Sequence, residues 1–313
     1  MAEVNGREGL HDDDSIIQLK EVYVDSTVGS EQCTELSEAC GDYVTVHVGR
    51  RNLKTQIYGC ISKTELKICS NSREGDSRRM DQEEQQERHM FSFILVFEYG
   101  ERTLQTILDH YRITAGSFLA KELLQCIAEA TLSLHVEPNK RIHGNLKPHN
   151  IVTVGTKVKL IDLDISCKIG ETYGQKAPSS GFCPPEVLNR MPSNSSQDSN
   201  GDISLQSLPA SIAHDLFSFG VIFYRIETGQ PLFLTNQDDN VVGEDIKCLK
   251  NWNKRSMKKK FKNVNVSNEA KEIISKLLDP DPVQRVRHFR DTSKTHGDDF
   301  EMMGQVLKDP YFS

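Results

Sequence analysis

The chain has 313 residues, 37% hydrophobic and 27% charged, enough for one large two-lobed domain or two ordinary ones. Its 45 acidic against 38 basic side chains give a net charge of −7, which argues against broad nucleic-acid or anionic-membrane binding. No apolar run reaches membrane-spanning length, and the first residues lack the basic-then-apolar pattern of a secretion signal, so a cytoplasmic protein is expected.

In chain order, residues 15–26 form an apolar, partly alternating run that ends in a strand-like Val-Tyr-Val. Residues 27–90 are polar and mixed, with strand patterns at 43–48, 55–61 and 64–69. A charged stretch at 72–89 follows; it has no apolar face and reads as a solvated helix or disorder. The continuous apolar run Phe91–Phe97 has the length of a buried strand. Leu119, Leu123, Leu124, Ile127, Ala130 and Leu134 recur at three-or-four spacing and predict an amphipathic helix over 117–135. Short strands are predicted at 151–154 and 157–161, and a Ser/Asn/Asp-rich loop at 192–211.

Residues 214–228 are apolar enough all round for a buried central helix. Ala270, Ile273, Ile274, Leu277 and Leu278 give a helix over 269–278 one apolar face, with Ser267 or Asn268 as its N-cap. Strands early and helices late, without regular alternation, predict an α+β fold. The eight cysteines, at 33, 40, 60, 69, 126, 167, 183 and 248, form no C-x-x-C pair. They read as reduced thiols rather than a zinc site. The basic run 254–262 reads as a solvated helical face, with a nuclear signal or a patch for an anionic partner as the alternatives.

The chemistry-bearing residues are concentrated in two strings. The first is Ile142-His143-Gly144-Asn145-Leu146-Lys147-Pro148-His149-Asn150-Ile151; the second, Ile161-Asp162-Leu163-Asp164, begins eleven residues beyond Asn150. They resemble the H-x-D-x-K-P-x-N catalytic loop and the D-F-G motif of the eukaryotic protein-kinase family. Further resemblances follow in order. Gly181-Phe182-Cys183-Pro184-Pro185-Glu186 is similar to the A-P-E end of an activation segment, with Glu186 lying 24 residues after Asp162. Asp215-Leu216-Phe217-Ser218-Phe219-Gly220 is similar to the start of the central helix. Leu277-Leu278-Asp279-Pro280 leads to Arg285, which resembles the arginine partner of the A-P-E glutamate, and Asp309-Pro310-Tyr311-Phe312 resembles the closing motif.

The resemblance implies a mostly helical C-lobe over residues 101–313 and a partial β-strand N-lobe over 1–100. It implies ATP and Mg²⁺ as cofactors and protein substrates or partners. It places Lys147 on the transferring phosphate and Asn150 and Asp162 on magnesium. Phe93–Gly100 resembles the fifth strand and hinge, so Glu98, Gly100 and Val152 become candidate nucleotide-binding residues. Ile16–Val24 resembles the segment entering the fourth strand. Residues 27–90 would then be an insertion, and the glycine loop and its lysine would lie outside the chain. In a rival alignment Tyr58–Cys69 is a contracted pair of strands, with Lys67 as the phosphate lysine. No G-x-G-x-x-G is present in either reading.

The departures concern chemistry. Asn145 stands where the family has its aspartate general base, and a carboxamide has almost no basicity at neutral pH. Gly144 replaces the arginine that docks an activation-segment phosphate, and Asp164 replaces glycine. A phosphotransfer-impaired kinase domain acting as scaffold or regulator is therefore expected. The alternative is an active serine/threonine kinase with substituted motifs, or a truncated gene model of one.

Overall fold

The computed structural model describes residues 14–17, 19–26, 43–50, 53–62, 91–97, 99–173, 176–191, 208–290 and 301–313. The chain divides into two compact units: one is Ile17–Tyr99, and the other is Gly100–Ser313 together with residues 14–16.

The first unit is built on a four-stranded sheet of order β3-β2-β1-β4. Its strands are β1 (Leu19–Ser26), β2 (Tyr43–Arg50), β3 (Leu53–Ser62) and β4 (Phe91–Phe97). Tyr43–Arg50 and Phe91–Phe97 are rich in the β-branched and aromatic residues that favour strands. β1 pairs antiparallel with β4, with Val22 opposite Leu95. β1 also pairs in parallel with β2, with Val22 opposite Val46, and β2 pairs antiparallel with β3. The strand expected at 64–69 falls outside the described residues, as do the charged stretch at 72–89 and residues 192–207 of the expected loop.

The second unit is mostly helical. Gly100 leads into β5 (Arg102–Thr103), followed by α1 (Leu104–His110) and α2 (Phe118–His135), then β6 (Arg141–Ile142). α2 starts where the sequence places it because Ser117 caps it, its hydroxyl accepting from the Ala120 amide. A 3₁₀ turn at Pro148–Asn150 gives way to the hairpin of β7 (Ile151–Val154) and β8 (Lys157–Leu160), then to β9 (Cys167–Lys168). β5 pairs with β7 and β6 with β9, both antiparallel. The helices that follow are α3 (Pro185–Leu188), α4 (Ile212–Thr228), α5 (Glu244–Lys250), α6 (Lys254–Phe261), α7 (Asn268–Leu277), α8 (Pro282–Arg287) and α9 (Met302–Val306).

α4 is the central helix expected from its composition: from Ile212 to Tyr224 every residue is buried. α7 packs against it through Ala270, Ile273, Ile274 and Leu277, and Ser267 supplies the N-cap. Trp252 seals the core beside α5, donating from Nε1 to the Leu278 carbonyl at 2.9 Å with its ring edge-on to Phe233. At the C-terminal end the Tyr311 hydroxyl donates to the buried Glu227 carboxylate at 2.7 Å, tying the last turn to the end of α4. No helix among the described residues is long and apolar enough to cross a membrane.

Candidate functional site

Two short antiparallel pairs bring the catalytic-loop string and the Asp162 motif side by side. β6 enters the loop and β9 leaves the Asp162 segment, so their pairing ties the two strings at one end. Arg141 reinforces it by donating to Ser166, whose hydroxyl donates back to the Ile142 carbonyl at 2.7 Å. At the other end the Ile161 amide donates to the Asn150 carbonyl at 3.0 Å.

The loop backbone hangs on Asp215 of α4. Its fully buried carboxylate accepts from the His143 amide at 2.7 Å, the Gly144 amide at 3.0 Å and His135 Nε2 at 2.9 Å. Burial alone would raise this carboxyl, but the hydrogen bond from His135 and the imidazoles around it hold it at about 2. His143 is also buried, and burial depresses its pKa, keeping it neutral. Its Nδ1 accepts from the Asn145 amide at 3.3 Å, which leaves the proton on Nε2 facing the Ile161 carbonyl at 3.1 Å. His143 is thus a structural strut. Gly144 has φ +73, a left-handed conformation that glycine adopts at no steric cost.

The side chains at the centre form one hydrogen-bonded set. Asn150 Nδ2 donates to the Asn145 carbonyl at 2.9 Å and to Asp162 Oδ2 at 3.1 Å. Asn145 Nδ2 donates to the same Asp162 oxygen at 3.4 Å, while Asn145 Oδ1 accepts the Ser179 amide of the activation segment at 3.1 Å. A carboxamide carries a donor and an acceptor at once and so bridges these two groups; a carboxylate carries only acceptors. Asp162 has φ +63, a conformation that short polar side chains tolerate better than most.

Asn145→Asp tests this bridge. The new carboxylate keeps the Ser179 contact but faces Asp162 across the lost donor. Without divalent cations the variant is expected to be less stable by about 1–3 kcal/mol in urea unfolding, and magnesium is expected to recover part of the loss.

Lys147 is engaged from two sides. Nζ donates to Ser179 Oγ at 2.8 Å and lies 3.0 Å from Asp239 Oδ2, which His149 Nδ1 also approaches at 2.9 Å. Asp239 is almost fully buried, in the loop after α4. The same loop pins the activation segment: the Gly181 amide donates to the Asp239 carbonyl at 2.9 Å, and the Ser180 amide to Asn240 Oδ1 at 3.2 Å. A Cβ on Gly181 would lie 2.6 Å from that carbonyl oxygen, so only glycine allows the approach. Sequence reasoning did not find Asp239, because it lies about ninety residues from the loop with no local pattern around it. Farther out, Glu186 and Arg285 pair as the resemblance implies, Arg285 Nη1 donating to Glu186 Oε1 at 2.8 Å.

Magnesium can be judged against the oxygen donors. The Asp162 carboxylate lies close enough to Asp164 to bear on the ionisation of Asp164, and Asn150 Nδ2 donates to Asp162 Oδ2. Burial and, less strongly, the Asp162 carboxylate raise the Asp164 pKa against the opposing pull of Lys176. Asp164 Oδ1 is buried with no hydrogen-bond partner among the described residues. Hard oxygens from one or two carboxylates, completed by phosphate and water, are what magnesium prefers, so this set fits the ion. Of the nucleotide-binding candidates, Gly100 and Val152 come together: a Cβ on Gly100 would lie 3.1 Å from Val152 Cβ. Glu98 and Lys67 lie outside the described residues.

The helical unit, with the Asn145 loop set beside Asp162 and the Glu186–Arg285 ion pair, has the arrangement of a protein kinase. Residues 62–312 match the family model described as "Protein kinase domain", and the chain belongs to the protein kinase family. It is 29% identical over 183 residues to calcium-dependent protein kinase 22 of Oryza sativa subsp. japonica, covering 56% of this chain and 26% of the relative. Over the same length it is 26% identical to calcium-dependent protein kinases 14 and 10 of Arabidopsis thaliana, covering 29% and 28% of those relatives. The match thus spans less than a third of each relative's length.

Proposed function

We propose that this kinase domain is phosphotransfer-impaired and works in signalling as a scaffold or regulator, in the cytoplasm, through protein partners. The observation that carries the reading is the Asn145 carboxamide. It replaces a base with a group that cannot accept a proton, and it is committed to Asp162 and the Ser179 amide. Loss of a positioned general base alone costs roughly 10²–10⁴-fold in rate. Lys147, which would meet the transferring phosphate, already faces the Asp239 carboxylate at 3.0 Å, so its charge is partly neutralised.

In this reading Asp162, Asn150 and the free oxygen of Asp164 would hold magnesium on the phosphates of ATP, with Gly100 and Val152 beside the base. The ion, when bound, neutralises phosphate charge. The other residues orient rather than react: Asp215 fixes the loop, and His143 keeps its neutral tautomer. Residues 1–100 are in this proposal a partial N-lobe carrying an insertion at about 27–90. The free Cys126, Cys167, Cys183 and Cys248 suit a reducing compartment; burial lifts the Cys167 thiol to about 11, where it is inert. One observation favours the second reading, an active serine/threonine kinase: Asn150 and Asp162 sit together, Asn150 Nδ2 donating to Asp162 Oδ2 at 3.1 Å.

Transfer of labelled γ-phosphate from ATP to a generic protein substrate separates the two. The expected result is incorporation no greater than in Lys147→Ala. Turnover that Lys147→Ala abolishes would overturn the impaired reading. Nucleotide binding is read separately, as a rise in melting temperature with ATP and magnesium that Asp162→Ala removes.

A further inference from the structure

The run Lys254–Lys262 holds six basic residues in nine and no acidic one, in a chain whose net charge is −7. Most of it is α6, whose start is fixed by Asn253, the side chain accepting from the Arg255 and Ser256 amides. α6 is anchored inward by the buried Met257 and by Phe261, whose ring stands edge-on to Tyr224 of α4 at 5.6 Å. Two of its cations face acidic groups: Lys260 pairs with Asp245 at 3.0 Å, and Lys254 lies 3.9 Å from Asp279.

Lys258, Lys259 and Lys262 have no carboxylate partner among the described residues, and neither does Lys271 on the adjacent α7. The neighbouring Glu272 is drawn instead to Lys276 at 2.9 Å. The side chains of these four lysines line a shallow, open trough of about 550 Å³ between α6 and α7, with Phe261 and Ser275. A surface helix carrying random charge would have its cations spread among anions. Here the lysines paired with Asp245 and Asp279 are not among the residues that line the trough, and the four that line it share it with the Phe261 ring.

We propose that this trough docks an acidic peptide segment of a partner protein, one that carries aspartate or glutamate side chains interspersed with an apolar residue. The chemistry of the lining selects that occupant. All four cations are lysines, which act as mobile point charges and suit several carboxylates spread along a chain; a single phosphate is better met by the planar fork of arginine. The trough is shallow and open to solvent, whereas small-molecule sites enclose most of their ligand. Phe261 supplies an apolar surface that a purely polyanionic backbone would not use. The site is remote in chemistry from phosphotransfer and stands whether or not the domain is catalytic.

The test is fluorescence anisotropy with the full chain and a labelled glutamate/leucine peptide. Its controls are the same peptide with glutamine for glutamate, phosphatidylserine vesicles and a DNA duplex. Binding that requires the glutamates and weakens with salt is expected. The exposed double variant Lys258→Glu/Lys262→Glu is expected to weaken it by about tenfold or more, with unchanged melting. Lys271→Gln, on the other wall, neutralises one charge without reversing it and is expected to weaken binding severalfold. Failure of the acidic peptide to bind, equal affinity in these variants, or equal binding of vesicles or DNA would overturn the proposal.

Discussion

Arg285→Met is expected to cost about 3–5 kcal/mol of folding stability, read as the loss in urea-unfolding free energy. Arg285 is fully buried and meets four acceptors: both Glu186 oxygens, the Ala213 carbonyl at 2.8 Å and the Asp279 carbonyl at 2.8 Å. Its guanidinium also lies over the Phe217 ring, 4.9 Å from the centroid. Methionine fills much of the volume but satisfies none of those acceptors, and it leaves Glu186 a partly buried charge with no counter-ion. Adding Glu186→Gln to the variant should therefore cost less than the sum of the two single changes. A loss below about 1 kcal/mol would show that the pair contributes no more than a surface ion pair.

Asp215→Asn is expected to destabilise by about 2–4 kcal/mol near neutral pH, because an amide brings its own donor against three donors already aimed at the site. The variant also has a signature in acid. The folded Asp215 carboxyl is held at about 2 against an ordinary 3.8, a depressed carboxylate. Such a group contributes stability that is complete above 3.8 and is lost as pH falls through about 2, worth roughly 2 kcal/mol by linkage. His214 beside it is pushed by burial from 6.5 to about 4, so its contribution is lost in a separate window between those values. Unfolding free energy measured against pH should show both declines in the wild type. The lower one should be missing in Asp215→Asn, and its persistence there would assign it to another group.

Period and punctuation made the helical lobe readable. The apolar spacing over 117–135 and 269–278 gave α2 and α7 within a residue or two, and Ser117 and Ser267 cap them as such hydroxyls do. The all-round apolar run at 214–228 is the buried α4. The pairing of Glu186 with Arg285 was implied by motif order, since fixed motifs occupy fixed places in a shared fold. Spacing along the chain could not show what surrounds the loop. The strand candidates at 43–48 and 55–61 were visible, but the parallel pairing of β2 with β1 depends on partners distant in sequence.

The identity of each side chain was settled by the sequence: the loss of a carboxylate at 145, the loss of a guanidinium at 144, and the gain of a charge at 164. These follow from the chemistry of single residues and need no neighbours. How that chemistry is used was decided in three dimensions. Only the packed loop commits the Asn145 amide to Asp162 and Ser179, and only the return of the segment after α4 brings the Asp239 carboxylate to Lys147. A hydrogen bond depends on the distance and angle between groups that chain order leaves free, and folding alone fixes both.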